Sequence, residues 1–395
     1  MTRYVGTVAM GIRTPIIKEN DDLEKIVIDS LINASKTHGF EFRNKDIVAI
    51  TEGVAGKCEG NIVSLDEICL DLKTKFPNQK VGLVYPILSR NRFSIILKAI
   101  ARYMDEITIL TSFPYDEVGN GILDENLLRK SKFNLNSLFS ENEYYQNFGE
   151  YLHPFTGVNM INIYKKIALE ENCKIEFVFS NNPVDILKYQ KDIINCDIHT
   201  RYETKEILKK AGANVLGLFE ILNKPVSSSG YNSKYGLLGS NKLTEEKLKL
   251  FPERGETLVY NIKKKLKELT GKDIEVMIYG DGAFKDPIAG IWELADPVVS
   301  PAYTKDLIGT PNEIKIKYIS DNNFPDLSGQ DLNDALKKEI KSKKENLVGS
   351  SLSLGTTPRR ITDLVGSLAD LISGSGDKGT PIVYISGYFD NLADD

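Results

Sequence analysis

A lysine and a glutamate lie in a glycine-rich segment directly after an apolar run. Residues 47–51 read IVAIT, typical of a short buried strand, and residues 52–61 read EGVAGKCEGN. We expect this segment to be a loop at the carboxyl end of the strand, where α/β proteins commonly bind ligands. Glycine lets a ligand approach the backbone closely, so the ammonium of Lys57 can meet a phosphate there, beside Glu59. The alternative interpretation is a solvated turn, and the segment does not match the standard phosphate-binding loop motif.

Two aspartates follow a second apolar run, DIEVMIYG at 273–280. Asp281 and Asp286 lie in the segment DGAFKDP, and carboxylates at that position can hold Mg²⁺ or Mn²⁺ against the phosphates of a nucleotide. An Asp-Gly pair after a strand is also a common turn. The sequence therefore offers a metal site here, with a plain turn as the alternative.

Histidines and cysteines give only a weak metal signal. Cys196-x-x-His199 has a spacing that metal sites use, but no second pair accompanies it. His153 and His199 can contact anions in a cleft, although we favour hydrogen-bonded structural histidines. Because the cysteines are few and scattered, we expect free buried thiols at Cys58, Cys69, Cys173 and Cys196.

The elements that would position these residues alternate between strands and helices, which predicts an α/β fold. Apolar runs predict strands over 47–51, 81–87, 106–112, 174–180, 273–280 and 382–386. Helical spacing predicts helices over 21–37, 64–76, 92–104, 158–171, 183–191, 203–212, 256–270, 331–345 and 361–372. Residues 113–150 are aromatic and weakly periodic, so we expect a surface excursion, and residues 226–241 indicate a linker or a functional loop.

Composition narrows the class of protein. The chain has 395 residues, with 50 basic and 55 acidic side chains and a net charge of −5. This balance does not favour a nucleic acid or an anionic membrane as partner. The sequence contains neither a secretory-type apolar stretch nor a run long enough to span a membrane, so we expect a cytoplasmic protein.

Three parts of the chain resemble the coenzyme F420 gamma-glutamyl ligase family. The first is GIRTPIIKENDDL followed by DIVAITEGVAGKCEGNIVSLDEI, within residues 11–68. The second begins at GLLGSNK (236–242) and continues through KELTGKDIEVMIYGDG (267–282). The third is RITDLVGSLADLISGSGDKGTPIVYISG (360–387). The resemblance implies a ligase-like core of mixed α+β structure in residues 1–79 and 226–395, with an inserted α/β lobe at 80–225.

What the resemblance implies is a GTP- and metal-dependent ligase. Members add L-glutamate through a gamma-linkage to a carboxylate, by way of an acyl phosphate, and are typically homodimers. Carried over to this sequence, the nucleotide-contacting residues are Thr14, Pro15, Ile16, Ile17, Glu52, Gly53, Lys57 and Asn241. Lys57 falls on the lysine that meets phosphate, and Asp281 falls on an acidic metal ligand.

The chain departs from the family pattern at the metal site. Leu238 stands where the family has an aspartate, and Arg359 stands where a later glutamate is expected. The arginine after the family's TDT-like turn is also missing from DGAFKDP. Either other residues rebuild the site, such as Asp286, His153 or His199, or the chemistry has changed.

We therefore predict a nucleotide- and metal-dependent gamma-glutamyl ligase that acts on an F420 precursor or a folate-like acceptor. A non-catalytic nucleotide- or metabolite-binding protein is the main rival, and Leu238 and Arg359 favour it. The third hypothesis is a kinase-like or phosphatase-like enzyme that uses the metal without glutamate.

Overall fold

The computed structural model describes residues 4–89, 92–153, 157–280, 283–285, 292–294, 299–347, 349–353, 359–372 and 377–394. Its strands are β1 (Val8–Ile12), β2 (Ile47–Thr51), β3 (Ile62–Ser64), β4 (Lys80–Val84), β5 (Glu106–Thr111), β6 (Phe139–Ser140), β7 (Lys174–Phe179), β8 (Asp192–Asn195), β9 (Asn214–Gly217), β10 (Ser240–Lys242), β11 (Lys247–Leu250), β12 (Glu275–Tyr279), β13 (Ala283–Lys285), β14 (Trp292–Leu294), β15 (Ala302–Tyr303) and β16 (Ile382–Ser386). Its α-helices are α1 (Leu23–His38), α2 (Glu52–Cys58), α3 (Leu65–Lys75), α4 (Phe93–Tyr103), α5 (Glu125–Lys130), α6 (Glu141–Phe148), α7 (Met160–Glu170), α8 (Arg201–Lys210), α9 (Gly255–Thr270), α10 (Ile316–Asn323), α11 (Gly329–Ser342) and α12 (Ile361–Ile372).

A five-stranded sheet has the order β1-β16-β2-β12-β15. Strands β2 and β12 are parallel, and the other neighbours are antiparallel. Successive residues of a strand point to opposite faces, so Val48 and Ile50 pack with α1 and α9, while Ile47 and Ala49 pack with α12. Helix α9 ends where predicted, because Gly271 adopts a left-handed φ of 70° as its C-terminal cap.

A six-stranded sheet has the order β6-β7-β5-β4-β8-β9. Its strands are parallel except for β6. Both faces are buried: Leu83 and Ile109 pack towards α3, α4 and α7, while Val84, Leu110 and neighbouring residues pack with Leu208 of α8. This burial explains the continuous apolar runs of β4 and β5.

A small three-stranded sheet has the order β10-β11-β3. Leu65 and Leu72 of α3, with Leu248 of β11, belong to the same apolar cluster as Leu83 and Ile109 of the six-stranded sheet. That sheet lies within the range 80–225, yet its core includes residues on both sides of it. The division into 1–79, 80–225 and 226–395 stays a prediction.

The mixed α/β class is confirmed, and three local predictions need correction. Residues 113–150 are not a surface excursion, because Phe139 and Tyr144 are buried and stack on Phe179 with ring centroids 5.1 and 4.6 Å away. Residues 183–188 form a 3₁₀ turn in place of the predicted helix 183–191. The predicted loop 52–61 is mostly the helix α2.

Within the described parts of the chain, no helix combines the length and the apolar character needed to cross a membrane.

Candidate functional site

The carboxyl ends of β2 and β12 lie side by side. The two strands are parallel, with Thr51 opposite Tyr279, and α2 begins immediately after β2 at Glu52. Glu52 is buried, with only 7% of its surface exposed. A carboxylate therefore lies at the carboxyl ends of two parallel strands, where α/β proteins commonly bind ligands.

The structure brings Glu52 and Asn241 together from distant parts of the chain. The Nδ2 of Asn241 donates to Oε1 of Glu52 at 3.2 Å. The hairpin formed by β10 and β11 positions Asn241, since β11 pairs with β3, which follows α2 in the chain. An amide that donates to a carboxylate orients both groups, so two residues predicted to contact nucleotide lie in one place.

Lys57 contacts the other predicted nucleotide segment, residues 14–17. Its Nζ donates to the carbonyl of Ile17 at 2.9 Å. Ile17 is buried, whereas Ile16 is 87% exposed, and the backbone N–H of Thr14 donates to the carbonyl of Gly379 at 3.3 Å. The segment is thus tethered at both ends.

An open cleft of about 670 Å³ lies beside this segment. It is bounded by Gly11, Arg13, Thr14 and Pro15 on one side and by residues of α1, including Asn33, on the other. Its lining includes no residue of the range 52–60. Residues 14–17 and α2 meet through the contact between Lys57 and Ile17.

The glycines of α2 allow close packing against β11. A Cβ at Gly56 would overlap the carbonyl oxygen of Leu250, and a Cβ at Gly53 would overlap the Nζ of Lys249. Glu59, beyond the helix, accepts hydrogen bonds from the backbone N of Arg254 at 3.2 Å. The glycine-rich composition reflects this packing and is not a sign of an irregular loop.

Lys249 also lies beside Gly53, although no motif identifies it. It lies opposite Asn241 in the antiparallel ladder, and the end of its partly buried side chain covers Gly53. In the sequence it is one of two lysines in KLKL, a pattern of alternating polar and apolar residues that predicts only a strand. The pairing register of the hairpin, together with Asn241, could have revealed it.

The described residues do not supply a set of ligands for a metal ion. No group of three His, Cys, Asp or Glu side chains in the described ranges is placed to hold one. Leu238 is buried in the apolar core, and Arg359 is exposed. The predicted ligands Asp281 and Asp286 lie outside the described residues.

The two histidines that could rebuild a site lie in the range 80–225. The Nδ1 of His199 is 2.9 Å from Oε2 of Glu117, which also accepts the backbone N–H of His199 at 2.9 Å. Burial raises the pKa of the Glu117 carboxyl. His153 lines a small cavity with Tyr144 and Tyr151. The cysteines are free, as expected, with Cys69 only partly buried.

The chain is similar to a family of known proteins. A family model described as F420-0:Gamma-glutamyl ligase matches residues 11–387. The matched range includes the segment 80–225 as well as all the residues described at the carboxyl ends of β2 and β12. No curated protein matches the chain at a significant level.

Proposed function

The chain belongs to the F420-0:gamma-glutamyl ligase family, and from this membership we propose that it is a nucleotide- and divalent-metal-dependent ligase. It joins L-glutamate through a gamma-linkage to a carboxylate acceptor, an F420 precursor or a folate-like molecule. The observation that carries the proposal is the family match over residues 11–387.

The reaction proceeds through an acyl phosphate, because a carboxylate at neutral pH is a poor electrophile. An oxygen of the acceptor carboxylate attacks the γ-phosphorus of GTP, and GDP leaves. The amine of glutamate then attacks the activated carbonyl carbon, phosphate leaves, and the nitrogen loses a proton. The products are the amide, GDP and phosphate.

The nucleotide binds at the carboxyl ends of strands β2 and β12. We assign its contacts to the residues implied by the family pattern, which are Thr14, Pro15, Ile16, Ile17, Glu52, Gly53, Lys57 and Asn241. Two contacts support this assignment: Asn241 donates to Glu52, and Lys57 donates to the carbonyl of Ile17. Each contact joins two of the predicted segments, as a shared binding site requires.

A divalent metal, Mg²⁺ or Mn²⁺, would neutralise charge on the transferred phosphoryl group when bound. We assign it to Asp281 and Asp286, which lie outside the described residues. The described carboxylates alone do not form a metal site. The proposed chemistry of Glu52 and Asn241 is therefore limited to binding and orientation.

A non-catalytic nucleotide- or metabolite-binding protein is the second candidate. Leu238 favours it, since this side chain is 3% exposed within an apolar cluster and cannot coordinate a cation. Such a protein would keep the contacts of Glu52 and Asn241 and lack turnover.

Phosphate release from GTP tests the proposal. The assay uses a panel of F420 precursors and folates, each with and without L-glutamate, and with and without EDTA. We expect release that needs the acceptor and the metal, and that continues over many turnovers only with glutamate. Phosphate release at the same rate with and without glutamate would indicate another phosphoryl acceptor. Nucleotide binding without phosphate release would favour the second candidate.

We further propose that the protein is a cytoplasmic homodimer. Light scattering on the purified chain tests its assembly, and a monomer at micromolar concentration would contradict it.

A further inference from the structure

Lys249 and Asn241 extend from one small hairpin towards the start of α2. They are directly opposite each other in the antiparallel pairing of β10 and β11, so their side chains share a face of the hairpin. Asn241 reaches Glu52, and the last atoms of Lys249 lie over the backbone of Gly53. The hairpin therefore places an amide and an ammonium beside the first residues of α2.

The ammonium of Lys249 has no protein partner among the described residues. It forms neither an ion pair nor a hydrogen bond with any of them, although its side chain is partly buried. The other lysine of the strand, Lys247, is exposed, and Lys242 of the same hairpin pairs with Glu245. An ammonium that none of the described residues engages is available to an anionic ligand, with which it can form a charge-assisted contact.

We propose that Lys249 binds the triphosphate chain of the nucleotide. This inference rests on the proposed function, which places a nucleotide at Glu52 and Gly53. Gly53 has no side chain, so the ammonium of Lys249 can lie over its backbone, where it would meet a phosphate bound beside α2. Lys57, the lysine implied by the family pattern, already donates to Ile17, whereas Lys249 has no partner for its ammonium among the described residues.

Titration calorimetry with Lys249→Met tests the inference. Methionine keeps most of the length of the side chain and removes the charge. The matched control is Lys247→Met, on the same strand but exposed. Each variant is titrated with GTP, with tripolyphosphate and with L-glutamate, after circular dichroism has confirmed that it is folded.

We expect Lys249→Met to bind GTP and tripolyphosphate about 10- to 100-fold more weakly, the scale of one charge-assisted contact. Lys247→Met should bind both like the wild type, and Lys249→Arg should retain part of the affinity because it keeps the charge. Unchanged phosphate binding by Lys249→Met would overturn the inference, and so would a loss confined to L-glutamate.

The same titrations separate this inference from the proposed function. If the wild type binds tripolyphosphate through Lys249 but not GTP, the nucleotide part of the proposed function fails and the phosphate site stands. If GTP binds and Lys249→Met does not weaken it, the phosphate assignment fails and the function stands. A wild type that binds neither overturns both.

Discussion

At the scale of single residues, the two lysines of the site differ in what they contact. Lys57 donates to the carbonyl of Ile17, while Lys249 lies over Gly53 without a partner among the described residues. Family motifs select Lys57 and Asn241 by their place in the sequence. They miss Lys249, because its position depends on which residue the hairpin sets opposite Asn241.

Replacing Lys57 with alanine should weaken GTP binding by about 1–3 kcal/mol, since the site loses a charged donor and the tether of residues 14–17. Calorimetric titration measures the change, with Lys18→Ala as the control, because Lys18 is exposed in the adjoining segment. Unchanged affinity would reduce the role of Lys57 to its contact with Ile17.

At the scale of elements, the two glycines of α2 should respond differently to alanine. In Gly56→Ala the new Cβ would overlap the backbone carbonyl oxygen of Leu250, which cannot easily move. We expect a loss of about 1–3 kcal/mol in the free energy of unfolding, the usual cost of overpacking. Urea denaturation measures it.

Gly53→Ala is the matched comparison. Its Cβ would meet the end of the Lys249 side chain, which can swing away, and alanine favours a helix by about 0.5–1 kcal/mol over glycine. This variant should keep the stability of the wild type and lose phosphate affinity. Equal destabilisation by both substitutions would contradict the packing described for α2.

An ion-pair network connects the β10–β11 turn to α4. Nη1 of Arg102 is 2.6 Å from Glu246, its Nη2 is 2.9 Å from Glu171, and Lys98 also contacts Glu246. Hydrogen bonds from Arg102 and Lys98 lower the pKa of Glu246 to about 2. The network holds the hairpin that carries Asn241 and Lys249.

Glu246→Gln should reduce stability at neutral pH by no more than about 1 kcal/mol, since the pair is partly exposed and screened. A lowered pKa means that the stabilisation is complete above the ordinary carboxyl pKa and is lost as pH falls towards about 2. The difference between wild type and variant should therefore shrink below about pH 5, as measured by thermal unfolding across pH. Glu41→Gln serves as control, because Glu41 is exposed and forms no ion pair among the described residues. A difference between wild type and Glu246→Gln that persists at low pH would rule out this network as its source.

At the scale of the whole molecule, the longer buried strands β2, β4, β5, β7, β12 and β16 and most helices could be predicted, because long apolar runs and helical periodicity persist in the sequence. Strands such as β1, β8 and β11 are not predicted, because their apolar runs are shorter or mixed with polar residues. Residues 113–150 could not be predicted either, since their short elements bury isolated aromatics such as Phe139 and Tyr144 without a regular period. The order of strands, and with it the meeting of Glu52 and Asn241, depends on contacts across 189 positions. Local patterns do not record such contacts.

The family match extends from residue 11 to residue 387 and so includes the six-stranded sheet and all of the five-stranded sheet except the start of β1. We propose that this chain joins glutamate to a carboxylate through an acyl phosphate. Its reaction can be followed by mass spectrometry with an acceptor whose carboxylate carries heavy oxygen, in the presence of GTP, Mn²⁺ and L-glutamate.

We expect the acceptor to gain one glutamyl residue and one of its heavy oxygens to be transferred to the released phosphate. An unmodified acceptor, or phosphate that carries no heavy oxygen beside a true amide product, would contradict the proposal.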